Sequence, residues 1–170
     1  MGRCVLLERE LRRLGRNSDV IRDPRPQRAA RSQLADVYKR FPALRELTEG
    51  PFSALLGLTV DHAEEGKVTV RMPFHERLLN YGPPDVPIHG GAIASLADFA
   101  ACAAVWTLAH TRRSATISMT VNYSAPAIQT DLLATATVRR SGKRIASVAV
   151  EVRDRYGALI ADALVTYKIA

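Results

Sequence analysis

Leu34, Val37, Tyr38 and Phe41 recur at helical spacing, with Ser32 placed to cap the helix they predict. Pro42 interrupts that run, Leu44 and Leu47 continue it as a second turn, and Gly50-Pro51 ends it. Phe52, Leu55 and Leu56 then lead to Gly57. The segments 58–62 and 67–72 alternate apolar with polar and are joined by Glu64-Glu65-Gly66, which predicts a hairpin with Val68, Val70 and Met72 on one face. Beyond a loop carrying Pro83, Pro84 and Pro87 comes the longest apolar stretch, 90–109. Period two then returns, with Ile117, Met119, Val121 and Tyr123 set against Thr116, Ser118, Thr120 and Asn122. Segments 132–140, 145–153 and 159–169 read as further strands, with turns at Ser141-Gly142-Lys143 and Tyr156-Gly157. Two strands, one long helix and four more strands predict an α+β fold, one antiparallel sheet with a long helix against it.

Apolar residues lie on every side of the 90–109 helix, so it is expected to be buried. Its length suits a membrane span, but it is rich in alanine and carries Asp98 near its centre, worth roughly 3 kcal/mol against insertion. Asp98 is also the only charged residue in the stretch, and a buried carboxylate is costly unless it is paired or hydrogen-bonded. The helix begins at His89-Gly90-Gly91, where the absence of side chains lets a ligand approach free backbone N–H groups at the positive end of the helix dipole. Such donors suit a developing oxyanion. Asp98 stands eight residues further on, about 12 Å along the axis at 1.5 Å per residue. One helix cannot readily bring both groups to one reacting carbon. Two antiparallel copies can, so a catalytic role for both predicts a homodimer.

Charge divides the chain. The full sequence of 170 residues carries a formal net charge of +7, which invites a polyanion-binding reading. Nine arginines against four acidic residues put +5 of it in residues 1–31, leaving fifteen basic and thirteen acidic side chains, or +2, in residues 32–170. The basic arm is too short for an independent DNA-binding domain, and neither nucleic acid nor a membrane is an expected partner. Its four acidic residues argue against a transit peptide, and it shows no secretory-signal pattern. Three parts are expected: a basic arm over 1–31 set off by charge, a helical segment over 32–49 set off by its periodicity, and an α+β domain over 50–170. Cys4 and Cys102 are too few for a disulfide framework, which suits a reducing, cytoplasmic setting. Cys102, one turn after Asp98, reads as a small buried hydrophobe, and Trp106 as core or interface. His62, His75 and His110 lack metal-ligand spacing, and no metal or organic cofactor is expected.

The pattern closely resembles the hotdog-fold acyl-CoA thioesterases of the phenylacetic-acid-degradation (PaaI-like) type, over roughly residues 50–169. It is carried by Pro51-Phe52 and Leu56-Gly57, by Leu78-Leu79-Asn80, and above all by the run from His89-Gly90-Gly91 to Asp98. Val121-Asn122-Tyr123-Ser124-Ala125-Pro126 and Arg140-Ser141-Gly142-Lys143-Arg144 support it. The resemblance implies a curved antiparallel sheet wrapped around one long central helix, here with an N-terminal helical extension. It further implies a homodimer or dimer of dimers whose sites are shared between chains. Carried over, Gly90 supplies the N–H that polarises the thioester carbonyl, His89 helps to orient the thioester, and Asp98 of the opposite chain is nucleophile or general base. Thr116 matches a hydroxyl that helps hold the attacking water, and Asn80 an asparagine contacting the site. The loop from Asn80 to His89 is longer and richer in proline than the family leads one to expect.

Beside these, Gly91 and the basic turn Arg139, Arg140, Lys143 and Arg144 are expected to bind substrate, the turn through the phosphates of CoA. The implied reaction is hydrolysis of an acyl-CoA thioester to free acid and CoA. Two alternatives carry different chemistry: an enoyl-CoA hydratase or dehydratase with His89 as the main base, and a non-catalytic acyl-CoA sensor.

Overall fold

The computed structural model describes residues 34–82, 85–108, 111 and 113–170, all within one compact unit, Arg31–Ala170. The expectations for the arm over 1–31, for Ser32 as a cap and for Pro83, Pro84, Ala109 and His110 lie outside the described residues.

Residues 34–40 are helical, Phe41 breaks the run, and α1 (Pro42–Glu49) and α2 (Pro51–Leu55) follow. Pro42 and Pro51 each occupy the first turn of the helix they open, where a missing N–H is harmless and the fixed φ is already helical. Pro42 thus ends one helix by starting the next. Gly57, at φ +66, turns the chain into the hairpin of β1 (Thr59–Glu64) and β2 (Lys67–Met72), whose own turn uses Gly66 at φ +74.

After α3 (Gly90–Trp106) come β3 (Ser114–Tyr123), β4 (Leu132–Ser141), β5 (Ile145–Asp154) and β6 (Leu159–Ile169). The six strands form one antiparallel sheet in the order β1-β2-β4-β5-β6-β3, curved around α3. The inward residues keep period two: Val68, Val70 and Met72, then Leu132, Ala134 and Ala136, then Ala146, Val148, Val150 and Val152, all buried. Against them α3 presents Leu96, Ala97, Ala100, Ala101, Ala103, Ala104 and Val105, each fully buried. Alanine is used here for its size, since it lets the helix backbone lie close to several strands at once.

Two expectations need correcting. The helix stops at Trp106, three residues before the expected end, with Thr107 as its C-cap. Nor is it buried all round. Gly91, Ser95, Asp98, Cys102 and Trp106, spaced three or four residues apart, form a stripe that the sheet leaves partly or wholly open.

The edge strand β3 departs from simple alternation. Thr116 pairs with Tyr167, but the next partners are Ser118 and Thr166, so the register shifts between Thr116 and Ser118. The bulge changes the phase of the strand. Ser114 and Thr116 face α3 before it, Met119 and Val121 pack on the core after it, and Ile117 stands exposed. The expectation that Ile117 shares a face with Met119 is overturned by that one inserted position.

The alanine contact is open to test. Ala100→Leu should overpack the interface between helix and sheet and destabilise the fold by about 1–3 kcal/mol. The check is a lower urea midpoint with an unchanged slope.

Candidate active site

The site is built along the open stripe of α3. His89 is its N-cap: Nδ1 accepts from the Gly91 N–H at 2.8 Å. An acceptor at Nδ1 places the proton of the neutral ring on Nε2, so the outward-facing nitrogen is a donor. A Cβ on Gly91 would stand 2.9 Å from His89 Nδ1, so this cap needs glycine there. At Gly90 a Cβ would meet the Tyr123 ring at 3.3 Å, and the Tyr123 hydroxyl donates to the Gly90 carbonyl at 2.9 Å. The two glycines therefore differ. Gly91 has committed its N–H to His89, and a ligand would have to displace the imidazole to reach it. The Gly90 N–H has no partner among the described residues.

Asp98, half-buried rather than enclosed as the sequence suggests, lies two helical turns further along. Thr116 Oγ1 donates to Asp98 Oδ1 at 2.8 Å. The Tyr167 hydroxyl, on the next strand, stands 2.7 Å from the same Oδ1 and 2.8 Å from the Asp98 backbone carbonyl. Burial first, and then the neighbouring carboxylate, raise the Tyr167 hydroxyl well above the ordinary tyrosine range, so it stays a protonated donor. Thr116, expected to hold a water, has its own proton directed at the carboxylate.

Further along the stripe, Trp106 Nε1 donates to Ser114 Oγ at 2.8 Å, and Cys102 Sγ lies 3.7 Å from the same oxygen. Burial, helped by Asp98, pushes the Cys102 thiol up to about 11, so it is not a thiolate near neutrality. Thus β3 follows α3 residue by residue: Ser114 at Trp106 and Cys102, Thr116 at Asp98, Tyr123 at Gly90.

Asn80 and the basic turn occupy other places. Leu79 and Ile88 form an antiparallel bridge, with the His89 N–H bound to the Leu78 carbonyl at 2.7 Å and the Asn80 N–H to the Pro87 carbonyl at 3.2 Å. The long loop is thereby closed at its base, and Asn80 stands beside the start of α3 despite the loop's length. Its side chain is exposed and makes no hydrogen bond to another described residue. Arg140, Gly142, Lys143, Arg144, Ile145 and Ser147 line an open hollow of about 680 Å³ at the β4–β5 turn. Arg139 sits at a register shift beside it. None of Arg139, Arg140, Lys143 and Arg144 has an ion-pair partner among the described residues.

Two tyrosines escaped the sequence reading of the site. Tyr123 was legible as an alternating strand residue and as part of the run over 121–126 but not as a partner of Gly90, and Tyr167 lies 69 residues from Asp98 with no local motif to mark it.

Residues 88–161, from just before α3 into β6, match the model of the thioesterase superfamily. Over 102 residues the chain is 36% identical to a candidate esterase of Halobacterium salinarum, spanning 58% of this chain and 67% of that one. The chain belongs to the thioesterase superfamily. Among solved structures, zebra fish Thioesterase Superfamily Member 2 is 27% identical at a TM-score of 0.69, covering 81% of this chain and 99% of that one. A variant of the phenylacetic acid degradation protein PaaI from Thermus thermophilus is 28% identical at a TM-score of 0.62, covering 70% and 98%. The hotdog fold expected from the sequence is the fold of this superfamily member, and no helix among the described residues is long and apolar enough to cross a membrane.

The cap geometry yields a separable outcome. Gly91→Ala should drive the His89 imidazole off its cap while leaving the thermal midpoint nearly unchanged. The lost cap costs about 1 kcal/mol, and alanine returns roughly as much in helix propensity. Nitrogen NMR of the imidazole should lose the signature of a hydrogen-bonded Nδ1 acceptor.

Proposed function

We propose that this superfamily member hydrolyses an acyl-CoA thioester to the free acid and CoA. The observation that carries the reading is a carboxylate oriented by two hydroxyls on the open stripe of α3, with a glycine N–H at the start of the same helix that has no partner among the described residues. In this reading the Gly90 N–H, with the helix dipole behind it, binds the thioester oxygen as negative charge develops there, a donor typically worth about 3 kcal/mol of barrier. His89 adds its Nε2–H toward the same thioester. Asp98 either attacks the carbonyl carbon itself or draws a proton from a water that attacks. In the base route the tetrahedral intermediate collapses with cleavage of the C–S bond, and the proton taken from water goes to the leaving sulfur. In the nucleophile route collapse expels the thiolate and leaves an acyl–Asp98 anhydride, which water hydrolyses to the free acid, its proton passing to the thiolate. Arg140, Lys143 and Arg144, with Arg139 nearby, would face the phosphates of CoA. Asn80 completes the assignment beside the start of the helix, where Gly91 acts through its bond to His89.

Each site takes its glycine from one protomer and its carboxylate from the other. Three features support this. Gly90 and Asp98 are about 12 Å apart along one helix axis. The stripe bearing Asp98 is left open by its own sheet. The edge strand β3, together with Leu164 of β6, leaves Ile117, Tyr123 and Leu164 exposed, more apolar surface than an edge strand usually leaves unprotected. The assembly proposed is a homodimer or a dimer of dimers in the cytoplasm. Residues 50–170 form its catalytic domain, 32–49 a helical extension and 1–31 an appended arm. The His89 tautomer weighs against the hydratase alternative, because the nitrogen free to face a substrate bears a proton and Nδ1 is already occupied.

Asp98→Asn should abolish thiol release from acyl-CoA, assayed across aromatic, short and long aliphatic acyl groups, while the oligomer stays intact. Undiminished turnover would sink the proposal. Sharing of the site has its own check in hybrid dimers of Asp98→Asn chains with chains disabled at Gly90. Random re-association should restore about a quarter of wild-type activity, since half the dimers then hold one intact site of two. Two inactive parents that stay inactive when mixed would place both groups in one chain.

A further inference from the structure

Tyr167 belongs to none of the roles assigned above and lies outside the segment that matches the superfamily model. Its ring is in the core, 1% exposed, at an inward position of β6 directly across the ladder from Thr116. From there its hydroxyl reaches two oxygens of one residue, the Asp98 backbone carbonyl and the carboxylate Oδ1. The hydroxyl's one proton, shared between these two oxygens, ties the carboxylate to its own backbone carbonyl and so sets the side-chain torsion relative to the helix, which a bond to the carboxylate alone does not. Thr116 holds the same Oδ1 from the other side of the strand pair. Asp98 Oδ2 has no partner among the described residues.

We infer that Tyr167 is a positioning residue that, together with Thr116, makes Oδ1 the held oxygen of Asp98 and leaves Oδ2 as the oxygen presented to the reaction. The inference rests on Asp98 being the reacting carboxylate. Its chemical content is a division of labour within one carboxylate. Two lone pairs on Oδ1 are occupied by hydroxyl donors, so the proton taken from water, or the new bond to carbon, forms at Oδ2. The phenol transfers no proton, since its hydroxyl stays protonated throughout, and its contribution is geometric. Misplacement of a reacting group by about 1 Å is enough to cost on the order of a hundredfold in rate.

The test is Tyr167→Phe, which keeps the ring in the core and removes only the oxygen. The expected result is a fall in kcat of roughly 10–100-fold with KM within about twofold of wild type, the pattern of a group that acts on the transition state and not on uniform binding. Thr116→Val, which removes the other bond to Oδ1, should show the same split. A crystal structure of Tyr167→Phe should find the Asp98 carboxylate rotated from its wild-type torsion. Unchanged kcat with the carboxylate unmoved would overturn the inference. So would a variant that fails to fold, since that would assign the hydroxyl to stability. The two readings fail separately. If wild-type protein releases no thiol from any acyl-CoA, the proposed function falls, and the Asp98 torsion in the variant alone decides the role of Tyr167.

Discussion

Everything in this molecule depends on how closely α3 lies against the sheet. A seam of alanines, Ala97, Ala100, Ala101, Ala103 and Ala104, replaces the larger side chains that usually separate a helix from strands, and all five are fully buried. The large side chains come from the sheet instead, in Val68, Val70, Met72, Leu132, Val148, Val150 and Tyr167. With a thin helix at its centre the sheet can curve and touch α3 through five of its strands. That closeness also lets a phenol rooted in the core of β6 reach past the helix backbone to a carboxylate on the helix's open side. A bulkier helix would hold Tyr167 too far away.

The candidate site residues of one chain correspondingly come from three elements. The helix contributes Asp98 and the Gly90 N–H, β6 contributes Tyr167, and β3 contributes Thr116 and Tyr123. The bulge at Ile117 reconciles them. Under strict alternation, a strand that aims Ser114 and Thr116 at the helix would aim Asn122 at it as well, and Tyr123 away. One extra residue inverts the phase, so the hydroxyl at Asp98 and the phenol at Gly90 both point inward. The bulge is part of the site's geometry even though its own residue faces solvent.

How much of this the sequence discloses follows from the range of each signal. The hairpin, the long helix and the strands of β4 to β6 are local periodicities, and they were legible to within a few residues. Asp98 stood out because a lone charge in an apolar stretch is a local anomaly, and the spacing from His89 to Asp98 added a motif. The phase change in β3 was not legible, because a bulge at an isoleucine has no glycine or proline to announce it. The open stripe of α3 was missed for a different reason. Its members Cys102 and Trp106 count as hydrophobic, so composition alone sets the uncovered face only weakly apart from the covered one. Tyr167 was invisible as a site residue, since only the pairing of β3 with β6 brings it beside Thr116.

The bridge between Leu79 and Ile88 has a consequence of its own. It seals the base of the segment between Asn80 and Pro87, so His89 and the start of α3 are anchored independently of what that segment contains. Loop length is thermodynamically cheap to vary, each doubling adding only about 0.6 kcal/mol of closure entropy. The segment can therefore be lengthened, shortened or re-sequenced without disturbing the histidine cap or the glycine beside it. The prolines that the sequence sets between Asn80 and His89 thus fall in a stretch whose length the histidine cap does not depend on.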